Sequence, residues 1–313
     1  MTKKQGKYLS GFSLLLAGLM AAVFVYNWND IYTIFVRINI AWAFAGFVFH
    51  FVNYIFRGIR LKIIAGSPNI SFYESFGYSV FHGVISYLMP MQTGDISLPV
   101  LLKTTGKIGL KTGVGILVKL RLLDMSMLGC LSFFAALVGA RMISPTVHAA
   151  WILASILLAV SIFVFQYLGE GANFIARRFF QISADISHYL KFDPIHFFIT
   201  GCIWISICLS QYCMIQSIGL DLRISEVVFL STIQFPLQLL PLQGFANSGN
   251  HEGGWIVALT LMGFNGEQAL DYALASHGVL IVYVALLGLM GGIVSNKKLG
   301  SFLRLIWPIP LQK

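Results

Sequence analysis

The feature that most constrains this chain is a series of long apolar runs. A transmembrane helix needs about 17 to 25 predominantly apolar residues. Six runs meet that length and predict six transmembrane helices, near residues 8–26, 40–56, 112–140, 149–168, 195–218 and 269–294. Hydrophobic residues make up 57% of the 313 and charged residues only 11%, a balance outside the range of soluble domains. The sequence therefore predicts an all-α polytopic protein with one integral membrane domain.

Two further apolar segments, 72–90 and 226–242, are borderline in length and end in breaks rich in proline and glycine. The first break reads LMPMQTGD and the second reads LLPLQGFANSGNHE. Helices that stop within a membrane often end in this way, so both segments are predicted to be re-entrant half-helices. Two unrelated helices kinked by proline are the alternative. The predicted hinge residues are Pro90, Gly94, Pro241, Gly244 and Gly249.

The charge and cysteine content exclude several classes of function. The net charge is +9, from 21 Lys and Arg against 12 Asp and Glu. In a membrane protein such an excess indicates cytoplasmic loops beside anionic lipid, so no nucleic-acid partner is expected. The four cysteines lie inside predicted spans without the spacing of a metal or redox site. No metal and no cofactor are predicted.

The lysines at both ends of the chain predict its orientation. Lys3, Lys4 and Lys7 precede the first run, and Lys297 and Lys298 follow the last. Because basic residues favour the cytoplasmic side, both termini are expected in the cytoplasm. The first run is long and no convincing A-x-A site follows it, so we expect an uncleaved span rather than a signal peptide.

A polar connector divides the chain into two parts. Arg177, Arg178 and Lys191 lie in it and predict an amphipathic cytoplasmic helix. The resulting division is an N-terminal span and loop at 1–39, a first half at 40–145, a linking span and connector at 146–194, a second half at 195–296 and a tail at 297–313.

With this orientation, the two broken segments enter the membrane from opposite faces, one in each half. This is the arrangement of an inverted repeat. Glu74 precedes the first break's proline by sixteen residues, and Glu226 precedes the second break's proline by fifteen. Each half then continues into a span with an ionisable residue, Arg121 or His277. We therefore predict that the halves are related by an inverted repeat.

The run VGILVKLRLLDMSML places Lys119, Arg121 and Asp124 in one predicted span. A charge at the bilayer centre costs roughly 2.5 to 3.5 kcal/mol, so such residues usually face a cavity or a partner. Arg121 and Asp124 are three positions apart and can pair on one helix face. In one interpretation they neutralise each other near the interface while Lys119 reaches the headgroups. In the other, Arg121 binds a phosphate and Asp124 holds the arginine in place.

The breaks themselves carry the other predicted substrate-binding residues. A helix end inside the membrane exposes backbone groups that lipid cannot satisfy, so such ends mark cavities. Asp95 follows the first break, and Asn250, His251 and Glu252 lie in the second. An ordinary extracytoplasmic loop is the alternative for the second break. No known catalytic motif occurs, so no catalytic residue is predicted.

The order of these motifs resembles the lysylphosphatidylglycerol synthase transmembrane-region family. The resemblance rests on FRGIRLK, YLMPMQTGDISLPVLLKTTG, KLRLLDM and LLPLQGFANSGNHEGG, and it covers about residues 50 to 295. The family includes the flippase half of the multiple peptide resistance factor and many stand-alone inner-membrane proteins. The resemblance implies a location in the inner membrane of a bacterium and the movement of lipid headgroups through a polar cavity.

The chain departs from the family pattern at several positions. Leu98 stands where an arginine often follows the acidic residue, and Leu120 replaces the usual glutamate before Arg121. The late motif is rich in Asn and His rather than Gly. These departures affect the identity of the substrate more than membership of the family.

Three hypotheses of function follow. The leading one is a flippase for a polar-headed membrane lipid, of the aminoacyl phospholipid or polyprenyl-phosphate type. The second is an enzyme that acts on a lipid headgroup within the membrane, with Asp95, His251 and Glu252 as acid or base. The third is a membrane partner subunit that transports nothing. A homo-oligomer is compatible with all three.

Overall fold

The computed structural model describes residues 32–33, 36–68, 70–104, 108–171, 193–237 and 243–294. Every regular element within these residues is helical, which confirms the predicted all-α class. The predicted span at 8–26, most of the connector, the tail at 297–313 and Pro241 lie outside the described residues.

Nine α-helices and two 3-10 turns occur in the described part of the chain. The first 3-10 turn, Pro90–Ile96, is called tip 1; residues 243–249, which include the second turn Phe245–Asn247, are called tip 2. The helices are α1 Ile40–Ala65, α2 Phe72–Leu88, α3 Ser97–Thr104, α4 Leu110–Val138, α5 Pro145–Gly171, α6 Pro194–Ser217, α7 Ile224–Leu237, α8 Asn250–Leu261 and α9 Gly266–Val294.

Four helices are long and apolar enough to cross a membrane: α1, α4, α6 and the Gly266–Gly291 part of α9. They coincide with four of the six predicted spans. The run at 149–168 is helical as part of α5, whose shorter apolar stretch covers Pro145–Ser161. Exposed apolar side chains such as Phe134, Phe198 and Leu289 suit contact with lipid.

Helix α1 is longer than the apolar run at 40–56 that predicted the second span, because it continues to Ala65. The arginines that suggested a basic loop lie inside the helix, where Arg57 and Arg60 have polar partners on α1, α4 and α6. The helix ends at Gly66, which adopts φ 58° and closes the last turn.

The two glutamates that marked the starts of the broken segments have the same local role. Glu74 accepts a hydrogen bond from the backbone N of Ser71 at 2.9 Å, and the Ser71 hydroxyl accepts one from the backbone N of Glu74. Glu226 accepts a bond from the backbone N of Arg223 at 2.8 Å. Each carboxylate satisfies a free N–H at the start of its helix.

The order of elements recurs along the chain. A long helix, a short helix, a tip, a short helix and a long helix follow one another from α1 to α4 and again from α6 to α9. The packing recurs too, since α2 packs on α9 and α7 packs on α4. Each half thus places its first short helix against the last long helix of the other half.

Helices α1 and α6 pack along their length and run antiparallel. The backbone N of Asn39, at the start of α1, donates to the Ser217 carbonyl at the end of α6, at 2.8 Å. Farther along, the Ser210 hydroxyl donates to the Gly46 carbonyl at 2.9 Å. These two helices bring the halves together around the polar groups described next.

Candidate functional site

Asp95 in tip 1 is joined to Arg121 of α4. Arg121 donates from Nη2 to Oδ1 at 2.5 Å and from Nε to Oδ2 at 3.2 Å. Ser86 of α2 donates to the same carboxylate at 3.0 Å. The side chains of Asp95 and Arg121 are 21% and 30% exposed. A two-point arginine–carboxylate contact of this kind is strong and fixes orientation, so it holds tip 1 against α2 and α4.

The backbone of tip 1 explains why proline occurs at position 90 and glycine at position 94. Pro90 begins the 3-10 turn directly after the C-cap Met89, and its ring cannot continue the helical hydrogen bonding. A Cβ at Gly94 would collide with Ser86 Cα and the Ile85 carbonyl. Pro90 thus ends the helical hydrogen bonding of α2, and Gly94 allows tip 1 to approach α2 closely.

At tip 2, Glu252 at the start of α8 is joined to His277 of α9. His277 contacts Glu252 Oε1 through Nδ1 in a short hydrogen bond. Its Nε2 lies 2.7 Å from the Ala246 carbonyl. The other carboxylate oxygen of Glu252 accepts from the backbone N of Gly249 at 2.8 Å. One imidazole thus holds both sides of tip 2.

These contacts determine where the protons of His277 can lie. The Ala246 carbonyl can only accept, so Nε2 carries a hydrogen. The hydrogen bond between Nδ1 and Glu252 Oε1 also needs one hydrogen, which either group can supply.

The chain in tip 2 adopts an unusual backbone conformation. Gly249 has φ 84°, and Ala246 and Asn247 have φ 53° and 62°. Left-handed backbone costs roughly 1 to 2 kcal/mol for residues with a Cβ. The backbone N of Gly244 donates to the Ser248 carbonyl at 2.9 Å and closes the turn. The His277 contact to Ala246 helps to maintain this conformation.

The two tips are in contact with each other, and tip 2 also contacts the end of α2. The Gln243 side chain of tip 2 donates to the carbonyls of Ser86 and Tyr87, at the end of α2, at 3.0 and 3.1 Å. The Tyr87 ring also meets the His277 ring edge-on, with 6.2 Å between centroids. The breaks that the sequence predicted as a pair are therefore adjacent in space.

The predicted pairing of Arg121 with Asp124 is wrong. Asp124 instead binds Arg60 of α1, which donates from Nη1 at 2.6 Å and from Nη2 at 3.2 Å. Arg60 also donates to the Thr200 hydroxyl of α6 at 2.9 Å. Arg60 and Asp124 are each 2% exposed. Asp124 and Asp95 are thus each bound at two points by an arginine from a different element. Arg121 and Asp124, which lie on the same helix, do not bind each other.

Lys119 and Asn250 are not members of the pairs at the tips. Lys119 is buried on α4, in electrostatic range of Asp193 at the start of α6. Asn250 is buried at the start of α8, and its Nδ2 has no hydrogen-bond partner among the described residues. Neither side chain is therefore part of an acid–base pair.

His251 belongs to a chain of neutral polar side chains that crosses four helices. Gln234 of α7 lies 3.0 Å from its Nδ1, and Ser276 of α9 lies 2.9 Å from its Nε2. Gln211 of α6 donates to Gln234, and Ser231 donates to Gln211. Each of these side chains has a hydrogen-bond partner within the network. Its polar groups are therefore satisfied without a charged residue.

A cavity of about 150 Å³ lies beside this chain, between α1, α6, α7, α8 and α9. Gln211, Gln234 and His251 line one side. His50 and Arg57 of α1 also line it. Polar side chains inside a membrane domain usually mark a substrate or ion pathway, so this cavity extends the site inward from tip 2.

Arg57 and Arg60 are the site residues that sequence reasoning missed, because their charges suggested the end of a span. Their spacing was the available signal: three positions apart in FRGIRLK, they share one helix face if the helix continues.

The described residues contain no group of three or more His, Cys, Asp or Glu that could hold a metal ion. The four cysteines are free thiols on α4 and α6. The chemistry of the site is thus that of ion pairs, amides, hydroxyls and imidazoles.

Comparison with known proteins identifies the family of this chain. No curated protein and no solved structure matches it. The family model described as the lysylphosphatidylglycerol synthase TM region matches residues 11–288. This match covers most of the 313 residues, including both tips and all four acid–base partners at them. The chain therefore belongs to the lysylphosphatidylglycerol synthase transmembrane-region family of multi-pass membrane proteins.

Proposed function

We propose that this protein moves a polar-headed lipid between the leaflets of the bacterial inner membrane. The observation that carries the proposal is the meeting of two tips, each tied by an acid–base pair to the long helix that follows it. Tips of this kind can open and close around a headgroup when their ion pairs exchange partners. The substrate class is an aminoacyl phospholipid or a polyprenyl-phosphate-linked lipid.

We further propose that the halves form an inverted repeat with six full spans and two half-helices. The antiparallel packing of α1 on α6 supports this, because they are the first helices of their halves. The recurring element order supports it as well. In this topology tip 1 opens to the cytoplasm and tip 2 to the outside, with both termini in the cytoplasm. Alternating opening of the tips would then carry the headgroup across.

A transporter fits the site better than an enzyme. Asp95 and Glu252 are the acids that catalysis would need, and both are held by basic side chains. Neither carboxylate is paired with a cysteine nucleophile, since the described thiols lie on α4 and α6 without such a partner. The contacts of Asp95 and Glu252 join each tip region to a long helix, which is the arrangement expected of residues that close a gate.

The proposal is tested by headgroup accessibility in proteoliposomes. Purified protein is reconstituted with a fluorescent aminoacyl phosphatidylglycerol, and a membrane-impermeant quencher reports how fast the inner leaflet becomes accessible. We expect the wild type to exceed protein-free vesicles, and Arg121→Ala and His277→Ala to be about ten-fold slower. Lys111→Ala is the matched control, because it removes an exposed cation from the same helix as Arg121.

Two outcomes would contradict the proposal. If wild-type and protein-free vesicles give the same rate, movement of aminoacyl phospholipids is excluded. If Arg121→Ala moves lipid as fast as the wild type, Arg121 has no role in gating. Mass analysis of the recovered lipid checks the enzyme hypothesis, which requires a change of mass.

A further inference from the structure

Arg57 of α1 differs from the other described arginines at the site in having no carboxylate partner. Its Nε donates to Asn53 at 2.7 Å, and its guanidinium lies 5.5 Å from the centroid of the Tyr54 ring. Within the described residues, no hydrogen bond involves Nη1 or Nη2 of Arg57. These nitrogens carry four N–H donors, which an anion could satisfy at two points.

The charged groups around Arg57 include more cations than anions. Arg57 is close enough to Asp124, Arg60 and Arg121 to interact with them electrostatically. Both oxygens of Asp124 are bound by Arg60, and both oxygens of Asp95 are bound by Arg121. The described part of this region thus contains three guanidinium groups and two carboxylates. Among these groups, the guanidinium group that has no carboxylate partner is that of Arg57.

Arg57 lines the 150 Å³ cavity, where the other side chains are uncharged or apolar. Gln211, Gln234 and His251 satisfy one another on one side. Two more lining residues have unsatisfied donors: His50 Nε2 and Trp204 Nε1 are buried without a partner in the described chain. An arginine, an indole N–H and an imidazole that can donate from Nε2 form a donor set that suits an oxyanion.

The size of the cavity limits which ligands it can hold. A cavity of about 150 Å³ can hold a molecule the size of benzene. A phosphate group fits in such a volume, whereas the acyl chains of a lipid do not. A bound anion would also offset part of the cost of a cation within a membrane-spanning helix.

We propose that Arg57, with His50 and Trp204, forms a phosphate-binding site in this cavity. The inference rests on the proposed function and assigns to it a position for the phosphate of the transported headgroup. Arg121, with its Asp95 partner, then acts at the gate and not as the phosphate ligand. The same chemistry would accept free inorganic phosphate, so the test must separate the two sources.

Binding to the detergent-solubilised full chain is measured by calorimetry with three probes: dihexanoyl phosphatidylglycerol, inorganic phosphate and dihexanoylglycerol, which lacks phosphate. We expect the phospholipid to bind and dihexanoylglycerol not to bind. Arg57→Gln should weaken phospholipid binding about ten-fold, equivalent to roughly 1.4 kcal/mol. Arg57→Lys, which keeps the charge without the planar fork, should fall in between.

Lys62→Gln is the matched control, because it removes an exposed cation from the same helix. We expect it to bind as the wild type does. Size-exclusion profiles establish that each variant is folded. If Arg57→Gln does not fold, the phospholipid affinity of Arg57→Lys is compared with that of the wild type instead. Competition by inorganic phosphate would support recognition of phosphate from either source. Lack of competition, with Arg57-dependent phospholipid binding, would restrict the site to lipid phosphate.

Equal phospholipid affinity in wild type and Arg57→Gln would overturn the proposal, as would equal binding of dihexanoylglycerol by the wild type. The vesicle assay separates this failure from that of the proposed function. If the wild type moves lipid and Arg57→Gln moves and binds it equally well, only the phosphate site is wrong. If binding depends on Arg57 but wild-type vesicles move no lipid, the phosphate site stands and lipid movement is wrong.

Discussion

His277 holds the carboxylate of Glu252 twenty-five positions earlier in the chain. Arg121 holds Asp95, twenty-six positions earlier, at the other tip. In both halves an acid at a broken segment is bound by a base on the next long helix. The two pairs occupy equivalent places in a recurring order of elements, and this equivalence makes them the natural targets for mutation.

The Asp95 and Arg121 pair should behave as a coupled unit. Asp95→Asn and Arg121→Gln should each lower the free energy of unfolding by about 1 to 3 kcal/mol, because each leaves a partly buried charge without its partner. The double variant should cost less than the sum of the two, with a coupling of roughly 0.5 to 3 kcal/mol. Thermal unfolding in detergent measures all three. Additive costs would show that the contact contributes nothing.

The Arg60 and Asp124 pair should be mainly structural. Asp124→Ala leaves Arg60 buried without its carboxylate, and we expect a loss of about 3 to 5 kcal/mol. The double variant Arg60→Met with Asp124→Leu replaces the pair by apolar side chains and should be more stable than Asp124→Ala alone. The unfolding midpoint is the measurement. A double variant less stable than Asp124→Ala would contradict this view of the pair.

Gly94→Ala should destabilise tip 1. The added methyl group would meet Ser86 Cα and the Ile85 carbonyl, and overpacking of this kind costs typically 1 to 3 kcal/mol. Gly253→Ala is the control, because a Cβ at Gly253 meets nothing within 4 Å and alanine favours helix. We expect a lower unfolding temperature and slower lipid movement for Gly94→Ala only. Equal behaviour of the two variants would remove the close-approach argument.

Gln243→Ala should loosen the contact between tip 2 and the end of α2, next to tip 1. The Gln243 amide satisfies two carbonyls at the end of α2, and the loss should be about 1 to 3 kcal/mol. Hydrogen exchange of residues 84–96 should become faster, whereas exposed Gln268→Ala should leave it unchanged. Unchanged exchange in Gln243→Ala would mean that the tips are held together by other contacts.

Much of this arrangement was accessible from the sequence. Apolar length predicted the helices, because a bilayer imposes that length on any span. The proline and glycine breaks predicted both tips, and the matched spacing of Glu74 and Glu226 pointed to the recurrence that the structure has in its element order. The sequence also places Arg121 and His277 in the spans that follow the two breaks.

The pairing of Arg60 with Asp124 was not accessible in the same way. The two residues are 64 positions apart, and only the packing of α1 against α4 and α6 brings them together. Hydropathy treats each segment alone and therefore interprets an arginine as the end of a span. An arginine that is paired with a residue of another helix does not mark the end of its own helix, and α1 continues nine residues beyond the apolar run at 40–56.

The bases that hold the two tips are not chemically alike. Arginine keeps its charge at every pH that a cell meets, whereas histidine exchanges its proton near neutrality. The two tips are thus held by bases of different chemistry, an arginine at tip 1 and a histidine at tip 2. The order of elements recurs along the chain, but the two halves are therefore not chemically equivalent.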